Sequence, residues 1–150
     1  MLIRKMALED IPAVVEIENQ CFSLPWSGKS FEDSLSREDT IFLVCEVLDE
    51  NTSASHIVGY MGLYLSFDEA SVTNVAVSPD FRKKGYGEAL VENAKTTVKE
   101  AGAECIFLEV RQSNVPALSL YKKLGFEELG IRKKFYEHPV EDAIIMKVGI

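Results

Sequence analysis

Apolar and polar positions along this chain keep changing period, and each change marks an element. Leu2–Lys5 reads as a short strand. From about Glu9 to Cys21, the residues Ile11, Val14, Ile17 and Cys21 recur at helical spacing, with Pro12 tolerable in the first turn. Phe22–Trp26 reads as a loop, and Ser30 to about Leu35 as a short helix. Ile41–Leu48, Ile57–Ser66 and Ala70–Val77 read as three strands, separated by a polar turn at Asp49–Ser55 and a turn around Asp68. After Gly87 a longer helix sets Leu90, Ala94, Val98 and Ala101 on one face, with Gly102 as its stop. Cys105–Val110 is a buried strand, Pro116–Leu124 a helix closed by Gly125, and two last strands fall near Phe126–Ile131 and Asp142–Val148. The order β-α-α-β-β-β-α-β-α-β-β is that of an α/β chain, and its length suits one domain over residues 1–150.

Candidate chemistry enters between the last central strand and the helix behind it. Val75-Ala76-Val77-Ser78-Pro79-Asp80-Phe81-Arg82-Lys83-Lys84-Gly85-Tyr86-Gly87-Glu88 runs from an apolar strand, through a Pro-marked turn and a basic tripeptide, to two glycines and a helix. Gly85 and Gly87 let the backbone turn sharply and let a ligand approach its N–H groups. The first helical turn leaves N–H groups unsatisfied and carries a partial positive charge. A pyrophosphate fits there, beside the full charges of Arg82, Lys83 and Lys84. Two familiar phosphate loops do not fit. A P-loop ends in Lys-Ser or Lys-Thr, which is missing here. A dinucleotide fingerprint wants a small residue where Leu90 stands. The segment instead resembles the acyl-CoA loop of the GCN5-related N-acetyltransferase (GNAT) family, through Arg82, Gly85 and Gly87 in the spacing Arg-x-x-Gly-x-Gly. That resemblance implies the GNAT fold, a mixed, mostly antiparallel twisted sheet of about seven strands flanked by about four helices. It also implies acetyl-CoA as cosubstrate.

Charge and cysteine usage narrow the partners. Residues 1–80 hold 4 Lys/Arg against 14 Asp/Glu, while residues 81–150 hold 12 against 10. An acidic first half argues for a cationic partner and against direct contact with nucleic acid. Cys21, Cys45 and Cys105 lie among apolar residues and read as buried free thiols of a reducing cytoplasm. With no C-x-x-C and only His56 and His138, a metal site is not expected. No apolar run approaches a membrane span, and the N-terminus lacks a signal-peptide core.

Acetyl transfer to an amine needs a base for the ammonium proton and an acid for the departing thiolate. Glu109 ends the apolar run Cys105–Leu108, where desolvation would raise its pKa towards a base's useful range. The competing reading pairs it with Arg111 at a strand end. Tyr121 is the candidate acid: a phenol joins an apolar body to a polar tip, and its pKa lies just above that of a thiolate leaving group. It could equally be core, since Leu118 and Leu124 share its spacing. Asn114 offers an amide to the cofactor arm, or a cap to the helix that follows. No nucleophilic Cys or Ser has a His partner, so direct transfer in a ternary complex is expected.

The outer segments sharpen the resemblance. Leu108-Glu109-Val110-Arg111-Gln112-Ser113-Asn114, Ala117-Leu118-x-Leu120-Tyr121-x-x-Leu124-Gly125-Phe126, Phe22-x-x-Pro25-Trp26 and Gly130-x-Arg132-x-x-Phe135-Tyr136 look like the RimI group within the family. These enzymes acetylate the N-terminal alanine of a small-subunit ribosomal protein. Carried over, the resemblance implies Glu109 as general base and Tyr121 as general acid. Val75, Ala76 and Val77 would bind the pantetheine, and Arg82, Lys83, Lys84, Gly85, Tyr86, Gly87 and Glu88 the pyrophosphate. Asn114 would contact the cofactor, with Trp26 and Tyr136 flanking the peptide N-terminus. Phe135 departs from a frequent pair of aromatic hydroxyls, leaving that role to Tyr136, and Glu50–His56 reads as a loop extension. Two other functions stay open: an acetyltransferase for another amine, and a CoA-binding regulatory module without catalysis, against which the presence of both Glu109 and Tyr121 speaks.

Overall fold

The computed structural model describes residues 1–150. Strands β1 (Leu2–Lys5), β2 (Thr40–Leu48), β3 (Ser55–Ser66), β4 (Glu69–Val77), β5 (Cys105–Arg111), β6 (Glu127–Tyr136) and β7 (Glu141–Gly149) form one sheet. Their order is β1-β2-β3-β4-β5-β7-β6, and every neighbouring pair is antiparallel except β4 and β5. The helices are α1 (Ile11–Cys21), α2 (Gly28–Leu35), α3 (Tyr86–Glu100) and α4 (Val115–Lys123). No helix is long and apolar enough to cross a membrane.

Local chemistry accounts for the helix ends. Pro12 sits in the first turn of α1, where a missing N–H costs nothing. Ser27 caps α2 by accepting from the Ser30 N–H at 3.2 Å. Gly102 and Gly125 follow α3 and α4 with left-handed φ, as the pattern predicts.

Strand alternation divides the core in two. On one face, Leu43, Met61, Ile106, Leu108 and Met146 pack against Leu90, Val91, Ala94 and Val98 of α3. The other holds Phe42, Val44, Tyr60 and Ala76 beneath Val14 and Ile17 of α1 and Phe31 of α2.

Three expectations are corrected. Ala101 is exposed, because the helix is already ending there, and Val91 takes the buried place. Cys21 is only half-buried, its thiol turned towards the Val77 carbonyl. The strand expected near Phe126–Ile131 runs on to Tyr136, since an edge strand can be polar on both faces and still pair with β7.

Candidate active site

A gap in the sheet sets out the site. β4 and β5 pair at only three positions, Glu69↔Cys105, Ala70↔Ile106 and Ser71↔Phe107. On the other side of β4, Gly62 faces Asn74 while Leu63 faces Val72, so Thr73 is an extra residue. Such a bulge bends its strand, and beyond it β4 parts from β5. Val75, Ala76 and Val77 therefore pair with β3 as their only strand partner; the Val77 carbonyl meets the Arg82 and Cys21 side chains, and the rest of that edge is open to bond an extended ligand as a further strand would.

The basic loop lies at the end of this gap. Gly85 adopts φ +85°, which favours glycine, and N-caps α3. The N–H groups of Tyr86, Gly87 and Glu88 have no backbone partner, forming a nest for an anion at a helix N-terminus. Lys83 and Lys84 are exposed beside it. Arg82 is placed otherwise: its guanidinium turns back to the Val77 carbonyl at 3.2 Å and the Cys21 sulfur at 3.3 Å, tying the loop to the strand. The Glu88 carboxylate pairs with Lys123 at 2.9 Å, which leaves its backbone N–H for the anion. Tyr86 rests near Phe81, with ring centroids 6.5 Å apart. Bare strand edge, nest and lysines together fit the pantetheine and pyrophosphate of an acyl-CoA.

The two candidate proton carriers lie on opposite faces of the sheet. Ile106, Leu108 and Val110 point into the α3 side, so Glu109 points to the other. Its carboxylate keeps 29 % exposure and faces Arg132 at 3.4 Å. Neither the apolar enclosure nor the Arg111 partner expected from the sequence is found. Arg111 instead bonds Glu141 at 3.3 Å and the Pro139 and Glu137 carbonyls, and lies 4.4 Å from the Tyr136 ring centre. Tyr121 is 6 % exposed, its ring edge-on to Phe126 at 5.5 Å. Its hydroxyl bonds no protein group, yet it is not among the sealed unpartnered atoms, so its tip remains reachable. Burial first, then Tyr136, pushes the Tyr121 phenol up to about 12. Burial followed by the Glu109 charge does the same to Tyr136, also to about 12, against the pull of Arg111. Glu109, Tyr136 and Tyr121 thus stand within electrostatic reach of one another. Asn114 caps α4, its side-chain oxygen accepting from the Ala117 N–H at 3.3 Å.

Two segments that the resemblance assigns to the acceptor mouth are joined to each other. Trp26 is half-buried against Phe31, with centroids 5.2 Å apart, and against Phe42 at 6.3 Å. The Ser23 hydroxyl donates to the His138 carbonyl at 2.8 Å, joining the Phe22–Trp26 loop to the turn after Tyr136. Sequence reasoning missed Glu18, which holds this loop from below, and Asn74 beside it on β4. For Glu18 a signal was present: with Val14, Ile17 and Cys21 it completes an i, i+3, i+4, i+7 stripe.

The seven-stranded sheet parted between β4 and β5, with an anion nest at the start of α3, is the architecture of an acetyl-CoA-dependent N-acetyltransferase. The chain matches the acetyltransferase (GNAT) family over residues 11–126 and belongs to it. It is 42% identical over 149 residues to a Bacillus subtilis (strain 168) protein provisionally named a ribosomal protein bS18-alanine N-acetyltransferase, covering 99% of this chain and 95% of that one. The ribosomal protein bS18-alanine N-acetyltransferase of Escherichia coli (strain K12) is 35% identical over 150 residues, covering 99% and 97%. The crystal structure of the Escherichia coli ribosomal-protein-S18-alanine N-acetyltransferase superposes with a TM-score of 0.85 at 33% identity, covering 99% of this chain and 93% of that one.

Proposed function

We propose that this chain acetylates the α-amino group of an N-terminal alanine, on a small-subunit ribosomal protein. The observation that carries this reading is the near end-to-end similarity to relatives named for that activity, which spans the mouth segments as well as the acyl-CoA loop. The electrostatics agree, since the acidic first half of the chain suits a basic acceptor. An α-amine is also the easier nucleophile at neutral pH, its pKa being about 8 against about 10.4 for lysine.

In this reading the bare edge of Val75–Val77 and the nest at Gly85–Glu88 hold acetyl-CoA along the gap. The acceptor amine enters between Trp26 and Tyr136 and attacks the thioester carbonyl directly. Glu109 takes the ammonium proton, itself or through water, and Tyr121 returns a proton to the thiolate. A phenol raised to about 12 is protonated at neutral pH and available to donate, although burial makes it a weaker acid than a free tyrosine. Asn114 steadies α4 beneath Tyr121, with its amide nitrogen left for the cofactor arm.

The test is a basic peptide with a free N-terminal alanine, mixed with acetyl-CoA and weighed beside the same peptide with its terminus blocked. One added acetyl on the free peptide alone is the expected result. Acetylation of both would move the reaction to lysine, and acetylation of neither would point to another amine.

A further inference from the structure

The least expected group in the interior is a carboxylate. Glu18 of α1 is 2 % exposed, and both its oxygens are engaged by uncharged donors: the Trp26 backbone N–H at 2.8 Å and the Tyr60 hydroxyl. Tyr60 is fully buried on β3, edge-on to Phe31 at 5.7 Å, and Phe31 in turn supports the Trp26 ring. Burial and then Glu18 push the Tyr60 phenol far above its ordinary range, while the Asn74 amide beside it pulls the other way. Asn74 accepts from the Thr73 hydroxyl at 2.8 Å, and its amide nitrogen is the one buried side-chain polar atom without a partner. A Cβ on Gly62 would collide with the Phe42 ring and the Asn74 side chain, so the glycine makes room for this cluster. Hydrogen bonds thus run from the mouth loop through Glu18 to Tyr60, and Asn74, one residue before Val75 on the cofactor strand, lies beside Tyr60.

Packing alone does not call for it. A carboxylate taken out of water without a cation is costly, and apolar side chains at both positions 18 and 60 would fill the space without that cost. What a leucine cannot do is accept the Trp26 N–H. That bond fixes the one loop whose path decides how Trp26 meets an incoming chain.

We propose that Glu18 is a positioning residue for the acceptor: held by Tyr60, it pins the Phe22–Trp26 loop and so sets the affinity for the amine substrate without touching it. The proposal rests on the reading of Trp26 as part of the acceptor mouth. Trp26 is also the only tryptophan in the chain, so its fluorescence reports that loop alone.

The deciding variant is Glu18→Leu, measured by acrylamide quenching of Trp26, thermal unfolding, and KM for peptide and for acetyl-CoA. Quenching should rise and peptide KM increase about tenfold, with kcat and the KM for acetyl-CoA within about threefold of the parent; Tm should fall, since the Tyr60 hydroxyl loses its acceptor, and the split between the two KM values is what marks the positioning role. Glu18→Gln, which keeps an acceptor oxygen, should recover part of the peptide KM. Unchanged quenching and unchanged peptide KM would overturn the proposal, as would equal rises in both KM values. Should Glu18→Leu fail to fold, Tyr60→Phe removes one bond while keeping the ring, and it must raise quenching and peptide KM in the same direction. If the parent acetylates no peptide, the proposed function fails, and quenching in the two variants still decides whether Glu18 holds the loop.

Discussion

The two faces of the sheet are built of different material. Towards α3 lie 20 buried residues, and the only polar atom of note among them is the tip of Tyr121. The α1/α2 face holds 8 buried apolar residues, and the three buried polar side chains of the molecule, Asp10, Glu18 and Asn74, all belong to this side. Hydrophobic burial stabilises in rough proportion to area, whereas buried polar groups cost free energy unless satisfied. The α3 face therefore supplies stability, and the α1/α2 face gives up some of it to hold loops in place. Glu109 lies on the polar side of the sheet and Tyr121 on the apolar one.

If that division is real, substitutions on the two sides should separate rate from stability. Glu109→Gln should lower kcat about 10²- to 10⁴-fold while leaving the urea midpoint in place; a fall in midpoint of similar weight would erase the distinction. Leu90→Ala, on the fully buried α3 face, should cost about 2–5 kcal/mol of unfolding free energy with substrate KM values unchanged. Gly85→Ala tests the loop between them. No atom lies within 4 Å of the added Cβ, so the loss is backbone strain of about 1–2 kcal/mol at φ +85°, seen as weaker acetyl-CoA binding by titration calorimetry.

The effect smallest at neutral pH concerns Tyr121. Its phenol is raised from 10.0 to about 12 in the folded protein, so its contribution to stability is whole below pH 10 and is lost as pH rises through 12. Tyr121→Phe should make the decline of the urea midpoint across that window shallower. An unchanged decline would mean that the phenol is not enclosed as described.

The elements were legible because each rests on local signals. Helical spacing in Ile11–Cys21, the glycines at 102 and 125, and the apolar runs of β2 to β5 name their own structure. So does the basic loop, whose nest needs only a strand, two glycines and a helix start. What the sequence hid depends on partners far away in the chain. Helical spacing sets Glu18 on the buried stripe and Glu16 off it, yet nothing in that spacing names Tyr60, 42 residues on, as the partner of Glu18. The Arg132 partner of Glu109 is invisible beside Arg111, two positions on and on the same face, because the groups that claim the Arg111 guanidinium, Glu141 and the Glu137 and Pro139 carbonyls, lie far along the chain. The bonds of Arg82 to the Val77 carbonyl and the Cys21 sulfur, which join the loop to β4 and α1, are likewise unwritten in the Arg-x-x-Gly-x-Gly spacing.

The parting of β4 from β5 has a consequence for how such a site can change. It follows from Thr73, one residue more on β4 than β3 has opposite it. That surplus is a matter of counting, indifferent to which side chain stands there. Single substitutions can redecorate the opening, reset its charges or reshape its rims, and the tally stays the same. Only losing a residue from β4, or gaining one in β3, would restore the match and let the strands zip shut. The most consequential feature of the molecule is thereby sheltered from the commonest kind of mutation and exposed to a rarer one.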